Sequence, residues 1–87
     1  MKRVIYSKHV LKAFHQMPAV DVRRIQSKLL QYAADPASMA NNVKRLQGLD
    51  YYRLRVGNWR AIFREDGLVV DVIKVARRDT VYQGIAE

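Results

Sequence analysis

The spacing of apolar residues in the first half of the chain predicts a short strand followed by two helices. Residues 4–6 form an apolar β-like run, and Ser7 stands where an N-cap belongs, ahead of a helix over residues 8–16. A second helix is predicted over residues 19–34, because apolar side chains recur there at intervals of three and four and prolines stand on both sides. This half should form an α-hairpin with one apolar face.

In the second half the period of the pattern changes from 3.6 to 2, which predicts strands. Residues 37–50 are interpreted as a loop, after which strands are predicted over residues 52–56 and 59–65, joined by the two-residue turn Gly57-Asn58. A third strand is predicted over residues 68–75. The three strands should form an antiparallel β-meander.

Together these elements predict a single α+β domain over residues 1–87, in which the N-terminal strand and the α-hairpin pack on one face of an antiparallel sheet. The chain has no cysteine, which excludes a disulfide framework and a thiolate metal site. His9 and His15 are interpreted as ordinary helix residues, so no metal and no cofactor is expected. No apolar stretch is long enough to span a membrane, and a cytoplasmic protein is the simplest interpretation.

The two-residue turn fixes which side chains of the first two meander strands share a face. With Gly57-Asn58 as the loop, Arg55 opposes Arg60 and Arg53 opposes Ile62. The core face then collects Tyr52, Leu54, Val56, Trp59, Ala61 and Phe63, and the other face collects Tyr51, Arg53, Arg55, Arg60, Ile62 and Arg64. The second face carries no acidic residue.

The third strand is placed by treating Asp66-Gly67 as another two-residue turn. Asp71 is then expected on the arginine face, where its carboxylate would hold one arginine in place. The predicted pairs are Val70 with Phe63, Val72 with Ala61, Asp71 with Ile62, and Ile73 with Arg60.

The charge of the chain suggests a binding partner for these arginines. Sixteen Lys and Arg residues against eight Asp and Glu leave a net charge of +8, which attracts nucleic acid or an acidic protein. Ten of the sixteen cations are arginine, which favours planar, bidentate recognition of phosphate. The arginine face therefore predicts an anion-binding site.

Two segments, LQGLDYYRLRVGNWRAIFRED and LVVDVIKVARRDTVY, resemble the RelE/ParE superfamily of bacterial type II toxins. The resemblance extends over essentially the whole chain and includes the helical hairpin that ends in Asp-Pro. Its pattern consists of Leu46, Gly48, the run Tyr52 to Arg55, Gly57, the aromatic-Arg pair at 59 and 60, Arg78 and Tyr82.

The resemblance implies a small toxin that an acidic antitoxin holds inactive. RelE-like members enter the ribosomal A site and cut mRNA, whereas ParE-like members inhibit DNA gyrase and lack the nuclease residues. The nuclease positions of the RelE type fall on Arg53, Arg55, Arg60, Arg78 and Tyr82. Their residue types are compatible with the RelE-like branch, which implies a ribosome-dependent mRNA endoribonuclease. A ParE-like gyrase inhibitor and an attenuated toxin that mainly joins its antitoxin on operator DNA are the alternatives.

In the RelE type the resemblance assigns each position a role. Arg60 and Arg78 would bind the non-bridging oxygens of the scissile phosphate, and Tyr82 would stack on a base or orient the 2′-hydroxyl. Arg53 and Arg55 would fix the RNA backbone and lower the pKa of the attacking hydroxyl. The further RNA contacts expected are Lys44, Arg45, Tyr51, Arg64 and Arg77.

The chain departs from the RelE pattern at the first-strand positions, where RelE has lysines. Arg53 and Arg55 stay protonated and are poor bases, and Arg77 stands where many relatives have a histidine. The sequence therefore identifies no general base. The expected partners are an acidic antitoxin, the ribosome and mRNA, with operator DNA reached only through the antitoxin complex and no membrane.

Overall fold

The computed structural model describes residues 1–48 and 50–81, which form one layer of helices on one sheet. Strand β1 spans Arg3–Tyr6, and helices α1 and α2 span Lys8–Phe14 and Ala19–Ala34. A 3₁₀ helix at Pro36–Met39 leads to β2 at Val43–Arg45. Strands β3, β4 and β5 follow at Tyr52–Val56, Trp59–Glu65 and Val69–Arg77.

The sheet has five strands in the order β1-β5-β4-β3-β2. The predicted antiparallel meander of β3, β4 and β5 is confirmed. The sheet as a whole is mixed, however, because β1 pairs parallel to β5. The interpretation of residues 37–50 as a loop was wrong, since this stretch contains the end of the 3₁₀ helix and β2, which extends the sheet beyond β3.

The helices begin and end where local chemistry requires it. Ser7 caps α1 as predicted, with its Oγ accepting a hydrogen bond from the Val10 amide at 3.1 Å. Helix α1 ends at Phe14 instead of residue 16. The amides after it donate to carbonyls three residues back, as Gln16 does to Ala13, so the chain forms a tighter, 3₁₀-like turn before Pro18. Helix α2 has the predicted bounds.

The core lies between the helices and the predicted core face of the meander. Phe63 is fully buried at its centre, with the Tyr32 ring 5.1 Å and the Tyr52 ring 5.6 Å from its own. Tyr52 and Trp59 pack against this core, as predicted. The buried residues around them are Val10, Ile25, Leu29, Tyr32, Ala33, Met39, Leu54, Val56, Ala61, Val70, Val72 and Val75.

The register between β3 and β4 is as predicted, but the register between β4 and β5 was wrong for two reasons. First, the connection is longer than two residues. The Asp66 carboxylate accepts hydrogen bonds from the amides of Leu68 and Val69 at 2.7 and 2.8 Å, so that Glu65 pairs with Val70. This shifts β5 by two residues and keeps the predicted faces of the strand's first half.

The second reason is a β-bulge at Ile73. Phe63 pairs with Val72 and the next residue, Ile62, pairs with Lys74, so Ile73 has no partner on β4. One extra residue exchanges the faces of every side chain beyond it. Lys74 therefore joins the arginine face, and Val75 joins the core. The observed pairs are Arg64 with Asp71, Phe63 with Val72, Ile62 with Lys74, Ala61 with Val75, and Arg60 with Ala76.

Candidate functional site

The face of the sheet opposite the helices collects basic side chains from four neighbouring strands. Across the strands, Lys44 pairs with Arg53, and Ile62 separates Arg53 from Lys74. Paired residues on adjacent strands share a face and lie about 5 Å apart. The term cationic face is used below for Lys44, Arg53, Arg55, Arg60 and Lys74.

The Gly57-Asn58 turn holds two of the predicted site residues. Gly57 has a φ of +58°, a conformation that favours glycine. One guanidinium nitrogen of Arg60, Nη1, donates to the carbonyl oxygens of Gly57 and Trp59 at 2.7 and 2.8 Å. The Arg78 amide donates to the Asn58 carbonyl at 2.9 Å. The turn therefore brings the Arg60 guanidinium and the Arg78 backbone to adjacent positions.

Arg53 carries a donor that the fold leaves without a hydrogen bond. Its Nε atom is buried and has no hydrogen-bond acceptor among the described residues. A buried donor without a partner costs about 1–3 kcal/mol, so such groups usually have a reason. The Nε and Nη groups of one guanidinium form the fork that binds two phosphate oxygens. An anion would supply the missing acceptor only after the Arg53 side chain moved, because its Nε is shielded from solvent in this conformation.

The other end of the sheet, near the β4–β5 connection, carries carboxylates, most of them in ion pairs with basic side chains. Arg64 forms an ion pair with Asp71, with 3.4 Å between Nη2 and Oδ2, so the expectation that Asp71 holds an arginine is confirmed. Hydrogen bonds from the amides of Leu68 and Val69 lower the pKa of Asp66. Half of the chain's eight acidic residues line one open depression here, namely Asp50, Glu65, Asp66 and Asp71.

Arg45 and Arg77 do not join the cationic face. Arg77 pairs with Trp59 on the helix side of the sheet, and its guanidinium carbon lies 5.0 Å from the centre of the indole ring. Arg45 pairs with Tyr52, and its Nη2 lies 3.6 Å from the Asp50 carboxylate. Tyr51 is half-buried just before β3.

The structure brings Arg53, Arg55 and Arg60 together as predicted, and it adds Lys44 and Lys74. The sequence signal for Lys44 is weak, since a three-residue strand has too few positions to show a period of 2. Lys74 was missed because the bulge at Ile73 cannot be located from the alternation of β5. Tyr82 lies outside the described residues.

The protein family follows from a comparison of the sequence with family models. Residues 4–82 match the model described as ParE toxin of type II toxin-antitoxin system, parDE. This chain belongs to the ParE toxin family. No curated protein matches the sequence of this ParE-family toxin significantly.

Solved structures similar to this ParE-family toxin include RelE toxins in complex with RelB. The archaeal RelE–RelB complex from Pyrococcus horikoshii OT3 matches with a TM-score of 0.75 and 27% identity, covering 98% of both chains. The RelB–RelE complex from Methanococcus jannaschii matches with a TM-score of 0.72 and 21% identity, covering 94% of this chain and 99% of the other. A mutant E. coli RelE bound to a RelB peptide matches with a TM-score of 0.70 and 22% identity, covering 99% and 95%.

Neither a metal-binding cluster nor a membrane-spanning helix is found in the part of the toxin that the structure describes. Within residues 1–48 and 50–81, no three His, Asp or Glu side chains are grouped closely enough to hold a metal ion. In the same residues, no helix combines the length and apolar character required to cross a bilayer.

Proposed function

We propose that this toxin is a ribosome-dependent endoribonuclease that cleaves mRNA in the A site and so inhibits translation. The observation that carries the proposal is the position of Arg60 and Arg78 at one turn, beside Arg53 with its unpaired Nε. The likeness to RelE from Pyrococcus horikoshii, at 27% identity over nearly the whole chain, supports it.

The reaction is attack of a ribose 2′-oxygen on the adjacent phosphorus. The new O2′–P bond forms as the P–O5′ bond breaks, which leaves a 2′,3′-cyclic phosphate and a 5′-hydroxyl. Negative charge builds up on the non-bridging oxygens in the transition state. Arg60 and Arg78 bind these oxygens and stabilise the transition state more than the ground state. Arg53 and Arg55 bind the flanking backbone and position the 2′-oxygen in line.

The proton of the 2′-hydroxyl needs an acceptor other than an arginine. Guanidinium groups do not lose their proton in proteins, whereas a lysine ammonium can. The fold adds Lys44 and Lys74 to the cationic face, on either side of Arg53 and Ile62. These two lysines are the candidates for the proton transfers at O2′ and O5′, with ribosomal RNA as a further source of such groups.

The partner that restrains the toxin is an acidic antitoxin, which would cover the helices or the cationic face. The net charge of +8 favours such a partner, and the similar RelE structures are complexes with RelB. The toxin reaches operator DNA only within that complex. Because its substrate is mRNA and its target is the ribosome, the toxin would act in the bacterial cytoplasm.

A second candidate function is inhibition of DNA gyrase without nuclease activity. The observation that favours it is the match of residues 4–82 to the ParE toxin model. In that case the cationic face would have no catalytic role. Neither the wild-type toxin nor a variant that lacks one of its arginines would cleave mRNA.

The test is cleavage of a defined mRNA on programmed 70S ribosomes by the free toxin, with the same mRNA without ribosomes as a control. Arg60→Ala, Arg78→Ala and Tyr82→Phe should each abolish cuts within A-site codons. Arg3→Ala is the matched variant, because Arg3 is exposed on the same sheet face but beside Val69, at the acidic end. It should cleave as the wild type does.

Intact mRNA under all conditions would reject the nuclease. Inhibition of gyrase supercoiling by the same preparation would then establish the second candidate function.

A further inference from the structure

Two buried apolar side chains of the described residues lie outside the core between the helices and the sheet. Ile62 and Val81 are both 0% exposed, yet neither belongs to that core. Ile62 pairs with Arg53 and with Lys74, so its side chain lies on the cationic face. A sheet face that only water covers does not bury an isoleucine completely. Ile5, on the same face at the edge of the sheet, keeps 40% of its surface exposed.

The cover over Ile62 lies above the side chains of its strand neighbours. The Nε of Arg53, on the strand beside Ile62, is shielded from solvent as well. Arginine normally buries its apolar stem and keeps its guanidinium in water. Because a guanidinium nitrogen is shielded here, the stems of neighbouring arginines and lysines do not account for the cover. Another segment of the chain therefore lies over the middle of the cationic face.

The segment after β5 is able to reach this position. The Thr80 amide donates to the Arg77 carbonyl at 3.0 Å, which closes a turn directly after the strand. Ile62 lies three positions along β4 from Trp59, the partner of Arg77, which corresponds to about 10 Å. The four residues from Arg77 to Val81 span up to about 13 Å. Val81 is therefore within reach of Ile62.

We propose that Val81 packs on Ile62 in the middle of the cationic face, and that Ile62 is thereby a positioning residue for Tyr82. The helix side of the sheet is excluded for Val81, because this buried side chain is not part of the core there. The Cα atoms of adjacent residues are about 3.8 Å apart, so a fixed Val81 fixes the backbone from which the Tyr82 side chain extends. The positioning role rests on the proposed function, whereas the contact between Ile62 and Val81 does not.

An apolar contact in a phosphate-binding face should affect the rate of reaction and not the binding of RNA. Ile62 carries no charge and donates no hydrogen bond from its side chain, so it adds nothing to the attraction of phosphate. A reacting group that is displaced by about 1 Å can cost about 100-fold in rate. Loss of the contact should therefore lower the maximal rate of cleavage and leave the affinity for programmed ribosomes unchanged.

The first measurement tests the contact and is independent of mRNA cleavage. Trypsin cuts after the exposed Arg78, and mass spectrometry follows the release of the peptide of residues 79–87 from the full-length toxin. Ile62→Ala and Val81→Ala should each accelerate this release by about tenfold or more, because the anchored segment opens more often. Cleavage after Lys28, within α2, reports global unfolding and is the reference rate.

Ile5→Ala is the matched control, because it makes the same change at a more exposed position of the same sheet face. It should release the peptide at the wild-type rate and should cleave mRNA as the wild type does. Unchanged release in Val81→Ala, or equal acceleration in Ile5→Ala, would overturn the contact. The Val81→Ala result is decisive if Ile62→Ala unfolds, because Val81 lies after the last strand.

The second measurement tests the positioning role by single-turnover cleavage on programmed ribosomes over a range of toxin concentrations. Ile62→Ala should lower the maximal rate by about 100-fold and leave the half-saturating concentration within about threefold of the wild-type value. Ile62→Val keeps most of the contact and should stay within about threefold in both quantities. A higher half-saturating concentration at an unchanged maximal rate would overturn the positioning role.

The two measurements distinguish failure of this inference from failure of the proposed function. A wild-type toxin that cuts no mRNA but gives the expected pattern of peptide release would disprove the nuclease, and the positioning role with it, and would retain the contact. A wild-type toxin that cuts mRNA but releases the peptide no more slowly than its Ile62 and Val81 variants would overturn the contact and leave the proposed function intact.

Discussion

Arg64 and Asp71 face each other across β4 and β5, with 3.4 Å between their Nη2 and Oδ2 atoms. Arg60 lies on the same face of β4, and its guanidinium donates to the backbone carbonyls of Gly57 and Trp59, which orient it. Two arginines of one strand are thus oriented differently, Arg64 by a carboxylate and Arg60 by the backbone of the Gly57-Asn58 turn.

Substitution should separate these two arginines. Arg64→Ala should change cleavage by no more than about twofold and stability by less than about 1 kcal/mol, because an exposed ion pair contributes little. Arg60→Ala should reduce kcat by about 100-fold or more, as expected for loss of an electrostatic contact to the transition state. Single-turnover cleavage on ribosomes and urea unfolding measure both. Comparable loss of activity in both variants would contradict the assignment.

The conformation of Gly57 should be costly to change. Gly57→Ala places a side chain at a φ of +58°, which we expect to reduce the free energy of unfolding by about 1–2 kcal/mol. Gly67→Ala is the control, since Gly67 has neither a positive φ nor an atom within 4 Å of an added Cβ, and it should be neutral within about 0.5 kcal/mol. Urea unfolding of both variants gives the comparison.

Ser7 links α1 to the sheet as well as capping it. Its hydroxyl accepts from Val10 N and donates to the Ile73 carbonyl at 3.3 Å, at the bulge of β5. Ser7→Ala should reduce the free energy of unfolding by about 1–2 kcal/mol. Ser27→Ala, at an exposed position within α2, should be neutral or slightly stabilising because alanine favours the helix. Thermal unfolding of the two variants checks this.

Asp66 should contribute to the loss of stability in acid. Hydrogen bonds from the Leu68 and Val69 amides hold the pKa of Asp66 below its ordinary value of 3.8. The folded state therefore favours the carboxylate, and this stabilisation is complete above pH 3.8 and lost as the pH falls through the lower, folded pKa.

The difference in unfolding free energy between the wild type and Asp66→Ala should thus be largest near neutral pH and shrink in acid. Asp66→Asn keeps an oxygen acceptor but does not titrate, so it should lose less than the alanine variant at neutral pH. Urea unfolding at a series of pH values between 2 and 7 would detect both effects. A difference that stays constant over this range would contradict the assignment.

The elements predicted best from the sequence are those fixed by local chemistry. A two-residue turn leaves one register between its strands, so Gly57-Asn58 determined every pair from Tyr52–Phe63 to Val56–Trp59. The prolines at 18 and 36 likewise determined the bounds of α2. The arginine pairs of the candidate site follow from that register alone.

The features that were missed depend on hydrogen bonds between a side chain and the backbone, or on an irregular backbone conformation, which the sequence pattern does not show. Asp66 uses its carboxylate to close a longer connection, which the Asp-Gly dipeptide does not reveal. The bulge at Ile73 reverses the alternation in the middle of β5, and the order of apolar and polar residues in that strand does not by itself locate it. Lys74 could be placed on the cationic face only after that bulge was seen.

The separation of charge along the strands gives the sheet face an electric polarity. At the β4–β5 end carboxylates are paired with Lys2, Arg45 and Arg64, whereas the turn at the β3–β4 end carries Arg60 and Arg78. A polyanion some distance away exerts a torque on such a molecule and turns its arginine end forward before the first contact. Steering of this kind increases the rate of encounter and weakens as the salt concentration rises. The distribution of charge would therefore raise the fraction of collisions that arrive in a productive orientation.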